Sequence, residues 1–139
     1  MQRGFTYLGL LFAIAVLGIT LATIGVVWST QIRRDREAEL LYIGDEFRVA
    51  IGRYLHSGGQ YPQELTDLLE DKRLPVARRY LRRIYPDPMT NSLDWELIVA
   101  PQGGIMGVAS RSQGKPIKVA GFAAGDAAFE KAECYCEWK

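Results

Sequence analysis

The side chains of this sequence that could do chemistry are few and scattered. Its only two cysteines, Cys134 and Cys136, stand one residue apart. On a strand such a pair shares a face at about 7 Å, too far for an easy disulfide without backbone distortion. Reduced thiols, a strained local bridge and an intermolecular bond are the alternatives, and two lone thiols make a poor zinc site. His56, the single histidine, falls where a long helix should end, so it suits capping of the last carbonyls. Asp126, Glu130 and Glu133 offer oxygens for calcium, but their spacing matches no calcium loop, and they read as solvated acids. Arg78, Arg79, Arg82 and Arg83 make a compact basic face suited to water, lipid headgroups or an acidic neighbouring subunit. No Ser-His-Asp set, paired carboxylates or nucleotide-binding motif is evident, so neither an enzyme nor a resident cofactor is expected.

The totals narrow the classes further. A chain of 139 residues with a formal net charge of +1 has room for one modest domain. It has no surplus of lysine and arginine with which to displace counterions, so nucleic acid is not an expected partner.

Most of the remaining information lies at the N-terminus, "MQRGFTYLGLLFAIAVLGITLATIGVVW". Phe5 to Trp28 holds no charged residue and no histidine. As a helix it is roughly 36 Å long, enough to cross a bilayer core of about 30 Å with some tilt. The run follows Gly4 and has no A-x-A cleavage pattern after it, unlike a secretory signal that is cut off behind its apolar part. Arg33, Arg34 and Arg36 follow the run, with only Arg3 before it, so charge alone leaves the orientation ambiguous.

The helix should continue well past the apolar run. From Ile32 onward, Leu40, Ile43, Phe47, Ala50, Ile51 and Tyr54 recur at three- and four-residue steps, one apolar stripe. Arg33, Arg34, Asp35, Arg36, Glu37, Glu39, Asp45 and Glu46 are expected on the other faces. No proline interrupts Phe5 to His56, and Ser57-Gly58-Gly59 is a stop signal. One helix of about 50 residues, roughly 75 Å long, is the simplest reading. Beyond it, "YPQELTDLLEDKRLP" and "VARRYLRRIYPDPMTN" read as short helices, the second running into a turn at Pro86-Asp87-Pro88. "DWELIVA", "IMGVASRS" and "IKVAGF" read as three strands joined by tight turns, an antiparallel meander. The tail suits a helical turn and a last short strand. The expected fold class is α+β, with a long helix packed on a small antiparallel sheet.

This combination resembles the type IV pilin superfamily, most closely the pseudopilins of type II secretion. The motif "RGFTYLGLLFAIAVLGI" is similar to the prepilin signal, in which a short basic leader and a glycine precede a retained hydrophobic half-helix. "GQYPQELTDLL", "YPDPMTNSLDWELI" and "GGIMGVASRS" resemble the region after the helix in the major-pseudopilin group. The resemblance implies a leader at 1–4, a transmembrane and filament-core half-helix at 5–30 and a pilin-like domain at 31–139. It implies cleavage between Gly4 and Phe5 by prepilin peptidase and methylation of the new amino group of Phe5. The implied localisation is the inner membrane, with the C-terminal domain in the periplasm. The implied partners are prepilin peptidase, other pseudopilins and an inner-membrane assembly platform with its ATPase. Thr6, Gly9, Gly18 and Gly25 would serve assembly, with Ala13, Ala15 and Ala22, because small residues let helices approach closely.

Three features depart from the family pattern, one being Val26, which stands where type IV pilins often carry a proline and so implies a straighter helix. Gly9 stands where most members carry a glutamate that neutralises a neighbour's amino terminus, a feature shared with the tip subunit, whereas the chain's size is that of the major subunit. The family's calcium loop near the C-terminus also has no recognisable ligand set here. A minor pilin of a surface pilus and an unprocessed single-pass protein with a small binding domain are the alternative readings.

Overall fold

The computed structural model describes residues 3–73 and 75–139, apart from the side chains of residues 3–5, 20–24, 26 and 27. Helix α1 runs from Arg3 to Gly58 without a break, as the proline-free, capless stretch requires. It is followed by a 3₁₀ turn at Leu65–Leu68, strand β1 at Glu96–Val99 and strand β2 at Ile105–Ala109. Two further 3₁₀ segments, Ala124–Lys131 and Tyr135–Glu137, complete the order. The chain divides into two compact units, Met1–Asp35 and Arg36–Lys139.

In the second unit the α1 stripe is the floor of the core. Leu40, Ile43, Phe47, Ala50, Ile51 and Tyr54 are all buried, against Leu68, Leu81, Trp95, Ile105, Phe129, Tyr135 and Trp138. Ile32, the expected start of the stripe, is 45% exposed. The Phe47 ring meets Trp95 edge to face at 5.5 Å, the arrangement that aromatic quadrupoles favour. The end of α1 is set by Gly59, whose positive φ of 70° suits a residue without Cβ. Its N–H donates to the Leu55 carbonyl at 2.7 Å.

The sheet has two antiparallel strands, with Glu96 opposite Ala109 and a register shift between Ile98 and Val99. Gly103 and Gly104 turn the hairpin with positive φ. A Cβ on Gly104 would also lie 2.6 Å from the Cβ of Tyr61, so this glycine is required twice over. The α+β class therefore holds, as a long helix packed on a small two-stranded antiparallel sheet.

Three local expectations fail, each because backbone groups find partners elsewhere. Residues 117–122 form no strand, since the N–H groups of Ile117 and Lys118 donate to the Glu37 carboxylate. Residues 76–85 form no helix. There the N–H groups of Tyr80 and Leu81 both donate to the Leu68 carbonyl, and the Arg78 carbonyl accepts from Asp71. The tail ends in the 3₁₀ turn at Tyr135–Glu137 rather than a strand.

Phe47 has no exposed surface, so F47A should cost about 3–5 kcal/mol through lost burial and the cavity left behind. V49A, on the outer side of α1, should stay within about 0.5 kcal/mol of wild type. Denaturant unfolding of the detergent-solubilised full chain, followed by tryptophan fluorescence, measures both.

Candidate functional site

The first unit carries the residues singled out for processing and assembly. The side chain of Phe5 and the surroundings of Gly4 lie outside the described residues. All described side chains from Thr6 to Ile19 are exposed, including Tyr7, Leu8, Leu10, Phe12, Leu17 and Ile19. Gly9, Gly18 and Gly25 are exposed too, and a Cβ on any of them would meet nothing within 4 Å among the described residues. Among the described residues no helix is long and apolar enough to cross a membrane, and part of the Phe5–Trp28 run falls outside those residues.

In the second unit the chemistry-bearing groups that matter are three buried carboxylates: Glu37, expected on an outer face of the helix, Asp87, expected in a turn, and Asp71, which fell in an expected short helix and was not singled out. Glu37, 3% exposed, accepts from Ile117 N at 2.5 Å, Lys118 N at 3.2 Å and the Tyr135 hydroxyl at 2.7 Å. The expectation of a solvated face fails for it. It stands three residues before Leu40, in register with the apolar stripe, and that spacing was the available signal. Asp87 has no exposed surface. It accepts from Met89 N at 2.8 Å, Thr90 Oγ1 at 3.0 Å and Ser110 Oγ at 2.7 Å. The Asp-Pro turn is thus fastened to the end of β2, and the D-P-x-T spacing marks such a turn.

Asp71 is the third. Its carboxylate accepts from Arg73 N at 3.0 Å, Nε at 2.9 Å and Nη2 at 2.9 Å. Arg73 reaches on to the end of α1, donating to the Tyr54 carbonyl at 3.0 Å and lying 3.5 Å over the Tyr54 ring. The guanidinium also packs on Gly58, where a Cβ would collide with it. The hydrogen bonds from Arg73 hold the Asp71 carboxyl well below the usual carboxylate range, and the same pairing raises the Arg73 guanidinium. Burial pushes the Tyr54 phenol up.

These contacts also settle the remaining candidates. The carbonyls of Tyr54 and Leu55 accept from Arg73, the Ser57 hydroxyl and Gly59 N–H. His56 sits in the last turn, but those groups take over the capping expected of it. Asp126, considered for calcium, pairs with Arg48. Glu130 and Glu133 are exposed, and among the described residues no group of three His, Cys, Asp or Glu could hold a metal ion. Cys134 and Cys136 form the local disulfide, their Cα atoms 5.2 Å apart. The approach closes because extended Cys134 leads straight into the 3₁₀ turn instead of continuing a strand.

A cavity of about 150 Å³ lies between α1, the sheet and the C-terminal segment, lined by Phe47, Trp95, Met106, Phe129 and Trp138 among others. The Trp138 Nε1 is buried with no acceptor among the described residues. No protein family, curated protein or solved structure matches this chain.

Asp71 sets a pH dependence. A carboxylate whose folded pKa is depressed stabilises the fold above its unfolded pKa, near 3.9. That contribution is lost as pH falls from there through the lower folded value. D71N should therefore flatten the fall in stability below about pH 4. D71A, which leaves Arg73 N–H and the Tyr80 hydroxyl without their carboxylate, should cost about 1–3 kcal/mol at neutral pH. Urea midpoints from acid to neutral pH for wild type and both variants test this.

Proposed function

We propose that this chain is the structural subunit of a periplasmic pseudopilus of a type II secretion-like system. Prepilin peptidase cleaves it between Gly4 and Phe5 and methylates Phe5. Before assembly the apolar half of α1 anchors it in the inner membrane, with the domain in the periplasm. In the filament the same half packs against equivalent helices, exchanging lipid contacts for protein contacts. Extraction is driven by the assembly platform and its ATPase.

The observation that carries this reading is the prepilin-like "RGFTYLGLLFAIAVLGI" lying within a helix that runs unbroken from Arg3 to Gly58. A plain anchor needs no such continuity. Supporting it, the apolar side chains from Tyr7 to Ile19 are exposed around the helix, far more than an isolated soluble surface carries without a partner. The second half of the same helix buries its stripe under its own domain. One element thus has an apolar half that needs an outside partner and a half already satisfied.

The test is the intact mass and N-terminal peptide of protein isolated from membranes of cells with active prepilin peptidase. The expected result is a chain beginning at N-methylated Phe5, and a G4L variant that retains residues 1–4. A wild-type chain that keeps its leader would defeat the filament reading and leave the long helix a simple anchor.

A further inference from the structure

The last turns of α1 and the segment after the 3₁₀ turn enclose an open groove of about 620 Å³. Arg53, His56 and Arg78 line it together with Val49, Gly52, Ser57 and Tyr80. No acidic residue is among its lining residues. Within that lining, Tyr80 Oη stands 2.6 Å from Ser57 Oγ and 3.1 Å from Asp71. Arg73, the nearby cation that could have filled the groove, is committed to Asp71 and the α1 carbonyls. Arg53, His56 and Arg78 are exposed, and none of them has an acidic partner among the described residues. These cations are spare.

The chain also carries spare anions. No Asp or Glu occurs from Lys72 to Pro86, a stretch with six lysines and arginines, whereas the C-terminal stretch from Asp126 holds Asp126, Glu130, Glu133 and Glu137 against two lysines, Lys131 and Lys139. Glu130 and Glu133 are exposed, and no ion pair engages them among the described residues. Arg48 holds the first acid of that segment, Asp126, so the later acids ride on an anchored edge. A net charge of +1 thus conceals a basic and an acidic patch that form no ion pair with each other among the described residues.

We infer that this groove receives Glu130 and Glu133 of a second copy of this chain. The two patches are different surfaces, so the contact is head to tail, and a head-to-tail contact whose rotation does not close propagates as an open helical filament. Complementary charge then sets register between subunits, while the apolar half-helices supply the bulk of the cohesion. The inference rests on the filament reading and adds to it the surface through which neighbouring domains recognise each other.

The experiment uses the full chain expressed with its assembly machinery, comparing wild type, R53E/R78E, E130R/E133R and the four-fold combination. Filament yield is read by shearing and immunoblotting, normalised to subunit in the membrane. Each one-sided reversal should lower the yield at least about tenfold, and the combination should recover most of it, since like charges across a contact are costly. In parallel, R78K gives carbodiimide a lysine to couple, and the expected product is an inter-subunit crosslink to Glu130 or Glu133. Unchanged yield in both reversals, or loss in both without recovery in the combination, overturns the contact; the latter points to lipid phosphate or another protein in the groove. A wild type that forms no filament defeats the filament reading itself, and the carbodiimide product then still decides whether the two surfaces meet.

Discussion

A domain whose sheet has only a four-residue and a five-residue strand must satisfy its buried backbone by other means. Here side-chain carboxylates do it. Glu37 takes two consecutive N–H groups and a phenol, Asp87 fastens a proline turn to β2, and Asp71 with Arg73 closes the end of α1. Each bond is charge-assisted, hence stronger than its neutral equivalent, and those from Tyr135 to Glu37 and from Ser110 to Asp87 are buried as well. Removing one partner strands the other, which makes these joints specific as well as strong.

The joints share a geometry: two of the three run to α1. Glu37 belongs to it, near the start of the buried stripe, and Arg73 grips its last turns. Loops of irregular conformation are thereby indexed to one rigid helix at both ends of its buried face, with Phe47 against Trp95 between them. In the filament proposed above, these joints would let the domain keep a fixed register with its neighbours.

Legibility in the sequence followed the range of the interactions. The unbroken α1 was readable because helix hydrogen bonds are local, and neither proline nor an early cap stops them. The stripe from Leu40 to Tyr54 was readable because its period is fixed by helix geometry. The hairpin was readable because Gly103 and Gly104 sit between two β-rich runs. The strand expected at Ile117 failed because its donors went to Glu37, 80 residues away. The helix expected at Val76 failed because Leu68 offered its carbonyl to Tyr80 and Leu81. Asp71 was passed over because nothing in "LEDKRLP" says that an aspartate will be buried.

By itself the sequence determined the N-terminal apolar run behind Gly4, the continuity of the long helix, the face of that helix that turns inward and the α+β class. All of these depend on contacts within a few residues or on a simple periodicity. Tertiary structure alone decided that Glu37, Asp71 and Asp87 are interior and that Arg53, His56 and Arg78 line one groove with no acid in it. Those outcomes depend on which distant group arrives first to satisfy a donor or a charge, and no local pattern encodes an arrival from elsewhere in the chain.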